Sequence, residues 1–211
     1  MKAVIYHCPA TPLWDAPEQS YERLFEGFIR NTEPYIDDVI HITLAGHRGM
    51  GTVNYHALDL DPENIMYNRE LLFARWLEYD LSDEVYWFTE PDARISKPFP
   101  PLGKEVDIAL LWRDDDVHIT PSFRLCRRSA YPLFQWTLDH YDMTRMDWHG
   151  DSEAFNALYI DMGRPKGPGC FTWNGLNIEL RPYFDYSRRN SRYVTHHKAG
   201  HKIELLARES N

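Results

Sequence analysis

Two short stretches of this chain carry side chains able to do chemistry together. EPD, residues 90–92, follows an apolar run and offers two carboxylates, Glu90 and Asp92, at positions i and i+2, which a sharp turn at a strand end can aim at one hard cation. HHKAGHK, residues 196–202, sets three histidines and two lysines around Gly200. A histidine is a borderline nitrogen ligand suited to manganese, and a lysine is a point charge for phosphate. Each stretch alone has an ordinary reading: Pro-Asp after a strand is a turn signal, and a basic run is a solvated tail. Read together, carboxylate, carboxylate, imidazole and ammonium make one metal-diphosphate site.

Such a site needs strands that end in loops. Residues 2–8, KAVIYHC, read as a short buried strand; residues 18–31 then place Tyr21, Leu24, Phe25 and Phe28 at helical spacing, and residues 37–46 restore a β-branched run. This order predicts a βαβ opening with a parallel pair. Residues 67–80 have a period near 3.6, and residues 85–88 form a compact apolar strand that Pro91 stops. Further strands are expected at 107–112 and 123–126, and helices at 130–140 and 151–161. Beyond Gly163 the chain turns rich in glycine and proline, and its tail is expected to wrap the main body.

Composition narrows the partners. The chain has 211 residues, 43% of them hydrophobic, enough for one domain with its own core. Lys and Arg total 23 against 32 Asp and Glu, a net charge of −9, which argues against nucleic-acid backbone or anionic lipid as the main partner. Three scattered cysteines with no CxxC pair suggest neither a disulfide framework nor a thiolate zinc site. The apolar run in MKAVIYHCP is too short for a signal peptide, and no stretch approaches the roughly 20 apolar residues of a membrane span, so a cytoplasmic protein with no membrane partner is expected.

The order of elements resembles the GT-A fold glycosyltransferases, in particular the glycogenin-type and bacterial galactosyltransferase group that transfers sugar from a UDP-sugar with retention. Three segments carry the resemblance. FARWLEYDLSDEVYWFTEPDARI, residues 73–95, is similar to that family's helix with an Ala-Arg pair followed by a strand ending in Asp-x-Asp. HGDSEAFNALY, residues 149–159, is similar to its segment in which an acidic residue precedes a helix with an asparagine. HKAGHK, residues 197–202, fits its His-x-x-Gly-x-Lys signature.

The resemblance implies an α/β fold: a single GT-A-like, Rossmann-related domain over residues 1–211, with a mixed, mostly parallel central sheet flanked by helices and residues 164–211 returning to the active site. It implies that Glu90, Asp92 and His197 hold Mn2+ or Mg2+, that Lys202 meets the diphosphate and that Gly200 lets the backbone approach it. Asp151 would contact the donor sugar, Arg75 would lie near the donor sugar and phosphates, and Tyr6 would lie against the base and ribose. His196, Lys198 and His201 are left as surface residues. The chain departs from the pattern in three places: Glu90 is a methylene longer than aspartate, PSFRLCRRS at 121–129 lacks the Asn-x-Gly of the family's sugar-holding strand, and Ser152 stands where glutamine is common.

Other motifs weigh less. DDD at 114–116 reads as a solvated acidic turn, and GHRGMG at 46–51 lacks the spacing of a phosphate loop and reads as a flexible turn. SRRNSR at 187–192 reads as a charged surface loop, with grip on a phosphate-bearing acceptor as the alternative. The acceptor is open among a small molecule, a protein and a modified nucleic-acid base, the last as in phage DNA-modifying glycosyltransferases. A non-catalytic nucleotide-sugar-binding domain and a nucleotidyltransferase are the competing functions.

Overall fold

The computed structural model describes all residues except 14–15, 59, 61–63, 117, 145–149, 187–190, 198–200 and 210–211. In chain order the elements are β1 (Lys2–Tyr6), β2 (Pro12–Leu13), β3 (Ala16–Ser20), α1 (Glu22–Thr32), β4 (Asp38–Leu44), β5 (Val53–Ala57), α2 (Ile65–Tyr79), β6 (Tyr86–Phe88), β7 (Ala93–Ile95), β8 (Ile108–Trp112) and β9 (Ile119–Cys126). There follow α3 (Tyr131–Asp139), α4 (Gly150–Asp161), β10 (Gly169–Trp173), β11 (Leu176–Pro182), α5 (Tyr183–Tyr186), β12 (Val194–His196) and α6 (His201–Glu209). The fold is α/β, with a mixed, mostly parallel main sheet of eight strands flanked by helices. The chain divides into two compact units, one of Met1–Leu58, Thr89–Phe99 and Phe184–Asn211, the other of Asp59–Phe88 and Pro100–Tyr183.

The first unit contributes β1, β4 and β5, all parallel, in that order. Ala3, Val4 and Ile5 are fully buried, as a near-continuous apolar run requires of a strand covered on both faces. The expected βαβ opening is present, with α1 burying Leu24, Phe25 and Phe28. The helix starts later than its periodicity suggests. Pro17, with its fixed φ, joins an extended segment, so residues 18–20 belong to β3, paired with β2, and Ser20 Oγ accepts a hydrogen bond from Glu22 N at 3.4 Å. The loop at 46–51 is pinned against β4. A Cβ on Gly51 would strike the Val39 carbonyl, and the neighbouring Thr52 Oγ1 accepts from Val39 N at 2.9 Å. Two further pieces complete the unit. β12 pairs antiparallel with β7, and α6 packs Leu205 and Leu206 into a cluster with Leu13, Ala16, Tyr21 and Leu24.

In the second unit the strand order is β10-β11-β8-β9-β6. Strands β6, β8 and β11 run one way, with β9 and β10 opposed. Trp87, Phe88, Phe123, Phe134 and Phe155 are fully buried. Among them lies the guanidinium of Arg124, 1% exposed, 5.1 Å from the Phe73 ring centroid and 5.3 Å from those of Phe134 and Phe155. Glu70 from α2 takes both its Nη groups. Glu70 also accepts from Arg69 Nε at 3.2 Å, and Arg69 Nη2 pairs with Asp151. The four charges balance, which is the condition for keeping them in a core.

Candidate metal-diphosphate site

The site lies wholly in the first unit. Thr89 N donates to Val4 O at 3.2 Å, and the chain then turns, with Ala93 N donating to Glu90 O at 3.1 Å. That i to i+3 bond folds Glu90, Pro91 and Asp92 into one corner. β7 follows at once and pairs with β12 in the register Ala93 with His196, Arg94 with Thr195 and Ile95 with Val194. His197 N donates to Asp92 O at 3.2 Å and extends the ladder by one bond. The pairing brings one imidazole to the two carboxylates: ligand atoms of Glu90, Asp92 and His196 all lie within 4.8 Å of one another.

The histidine that meets the carboxylates is therefore His196, where the sequence signature implies His197. Successive side chains of a strand point to opposite faces, so only one of two adjacent histidines can join the corner. His196 is 4% exposed, which also overturns its reading as a surface residue. His197 faces the other way, with Thr195, Arg94 and Glu209 in the lining of a cavity of about 390 Å³. Burial, then the positive charge of Arg94, lowers its pKa. His201 is half-exposed and stands 3.7 Å from Glu204. Lys198 and Gly200 lie outside the described residues.

Lys202, in the first turn of α6, completes the group. Its Nζ is 3.2 Å from Asp92 Oδ2, donates to the Tyr21 hydroxyl at 2.7 Å and lies 4.6 Å from the Tyr21 ring centroid. Burial alone would favour the neutral amine. Asp92, Tyr21 and Glu90 together outweigh it and hold the ammonium above its ordinary pKa. Asp92 is 2% exposed and its Oδ1 has no hydrogen-bond partner among the described residues. A buried carboxylate oxygen left so is costly unless something positive serves it, and a mixed set of two carboxylates and an imidazole fits manganese or magnesium with the softer nitrogen favouring manganese.

One residue of this corner escaped the sequence reading. His7 follows β1 directly, its N donates to Ile42 O at 3.0 Å, and its ring lies 4.4 Å from that of Tyr21. Burial, then the charges of His41 and Lys202, pull its pKa down to about 3. The imidazole is thus neutral, and its Nε2 has no hydrogen-bond partner among the described residues. The available signal was its place at the end of a parallel strand, where ligands gather. Tyr6, the residue named for that place, is a buried strand residue at 5% exposure.

Asp151 and Arg75 belong to the second unit. Asp151 is buried in the first turn of α4, held by Arg69, with its Oδ1 accepting from Ser152 N at 2.7 Å. Arg75 is exposed on α2, whereas Arg69 on the same helix is buried.

The sequence matches no family model, and it matches no curated protein. Among solved structures the fold is similar to that of a glycosyltransferase involved in the glycosylation of the major capsid of PBCV-1, with a TM-score of 0.60 and 8% identity over 98% of each chain. At that identity the likeness is one of fold. Among the described residues no helix is long and apolar enough to cross a membrane.

Proposed function

We propose that this chain is a metal-dependent glycosyltransferase that takes a sugar from a nucleotide-sugar donor, UDP-linked, and passes it with retention to an acceptor hydroxyl or base. The observation that carries the reading is the convergence of Glu90, Asp92 and His196, with Lys202 on the same aspartate. The glycosyltransferase of similar fold supports sugar transfer as the class. Glu90, Asp92 and His196 would hold Mn2+ or Mg2+, which when bound neutralises charge gathering on a nucleoside diphosphate leaving group. Lys202 adds a fixed positive contact for a phosphate oxygen, and neutral His7 offers a hydrogen bond without adding charge.

Retention follows from the resemblance. The acceptor oxygen bonds to the anomeric carbon on the face from which the phosphate oxygen departs, and the acceptor's proton passes to that phosphate oxygen, so the chain need supply no strong base. On the same ground Asp151 and Arg75 serve the donor sugar, Tyr6 the base and Gly200 the diphosphate. The acceptor is a small molecule, a protein or a modified nucleic-acid base, and the protein works in the cytoplasm.

The test is to incubate the protein with a panel of UDP-sugars and Mn2+, with and without chelator, and follow UDP release and the anomer formed by NMR. Metal-dependent release from one donor with retained configuration supports the reading. Donor binding without release would make the chain a nucleotide-sugar-binding module, pyrophosphate from a nucleoside triphosphate and a sugar phosphate would make it a nucleotidyltransferase, and absence of UDP binding would overturn the proposal.

A further inference from the structure

We infer that Lys202 is a resident counter-ion that keeps the cation's place on Asp92 until a diphosphate arrives, so that metal and diphosphate bind with strong mutual coupling. The inference rests on the reading above and concerns how the same site is loaded. Asp92 belongs at once to the ligand triad and to the ion pair with Lys202, whose Nζ is 3.2 Å from Oδ2. Being 2% exposed, Asp92 cannot be screened by water, and the ammonium balances it.

The consequence for a dication is direct. Two carboxylates against one ammonium leave a single net negative charge, and an ion entering the triad must sit close to a like charge that burial leaves poorly screened. Metal alone is therefore held weakly. Tyr21 supplies the second seat: its hydroxyl accepts from Lys202 at 2.7 Å and its ring face lies 4.6 Å away, so the ammonium can give up Asp92 without losing every partner. A diphosphate brings new oxygens for both cations. Each ligand then raises the affinity for the other by the same factor, as linkage demands.

The experiment is titration of Mn2+, by calorimetry and by the EPR signal of the free ion, into the wild-type chain, Lys202→Met and Lys202→Arg, each with and without UDP as the diphosphate probe. Lys202→Met is expected to bind Mn2+ alone roughly tenfold tighter than wild type, and the factor by which UDP tightens Mn2+ should be roughly tenfold larger in wild type and Lys202→Arg than in Lys202→Met, where only the metal's own contact with the diphosphate couples the two. Lys202→Gln, which can still hydrogen-bond Asp92 without a charge, should behave as Lys202→Met and carries the test if the methionine variant misfolds. Neutral variants that bind Mn2+ no tighter than wild type, with coupling to UDP intact, overturn the counter-ion role and leave the proposed function standing. If no variant binds Mn2+ with or without UDP, both fall.

Discussion

Arg94 and Glu209 form a two-pronged ion pair across 115 residues of sequence: Nε donates to Oε1 at 2.7 Å and Nη2 to Oε2 at 3.1 Å. The guanidinium also donates to the carbonyls of Pro91, Ala93 and Leu24. Arg94 thus ties the carboxylate corner, α1 and the end of α6 to one planar group. Replacing Glu209 by Ala strands a mostly buried charge, and urea unfolding is expected to show a loss of about 2 kcal/mol.

Gly27 makes room for that pair. A Cβ there would fall on Oε2 of Glu209 and Nη2 of Arg94. In an open helix Gly→Ala would stabilise by about 1 kcal/mol, so Gly27→Ala sets helix propensity against a broken ion pair. The pair is expected to win, giving a net loss of stability. A melting temperature above wild type would show instead that α6 is not anchored here.

His196→Ala is expected to weaken Mn2+-dependent UDP binding at least roughly tenfold, a ligand's share in a three-ligand site, while His197→Ala leaves it within about twofold. Calorimetric titration of the two variants side by side distinguishes the imidazole that faces the carboxylates from the one that faces the cavity. The reverse ranking would restore the assignment implied by the His-x-x-Gly-x-Lys signature.

His41 gives the fold a pH dependence. Its Nδ1 accepts from Met50 N at 3.0 Å, so Nε2 carries the proton and donates to His7 O at 2.7 Å. Burial lowers its pKa from 6.5 to about 4. The unfolded chain takes up the proton first, so stability is full above about pH 6.5, falls as pH drops toward 4 and levels below that, for a total near 3 kcal/mol from this residue. His41→Gln should flatten that part of the stability curve measured by urea titration.

Glu70 acts lower on the pH scale. Burial would raise its pKa, but Arg124 and Arg69 overcome this and hold it below the ordinary carboxylate value. Its contribution is present above the unfolded pKa and is lost as pH falls through the folded one, in the acid range. Glu70→Gln leaves two buried guanidiniums short of charge, with an expected cost of about 3 kcal/mol at neutral pH by denaturant unfolding.

What could be read from the sequence was whatever burial writes as an apolar run. β1, β4, β6 and β8 are such runs, and α2, α3 and α4 carry a helical repeat or a compact apolar face. β5 could not be seen that way, because Val53 to His56 are exposed along its length, so the alternation of Val53, Tyr55 and Ala57 with Asn54 and His56 marks no buried apolar run. The β10–β11 hairpin did announce itself through Asn174-Gly175, whose φ values of 47° and 81° are those of a two-residue primed turn, and that signal went unread. For the site, residue types and approximate positions were legible in EPD and HHKAGHK. Which histidine faces inward was not, since it depends on the register of β12 against β7, and a shift of one residue exchanges the faces.

That same pairing sets an order of events during synthesis. A nascent chain that has emerged through residue 190 already exposes Glu90 and Asp92, while His196 and Lys202 are still inside the ribosome. Until residues 191–202 emerge, the corner has its two carboxylates without the His196 imidazole or the Lys202 ammonium, and a shorter nascent chain cannot gather the four groups.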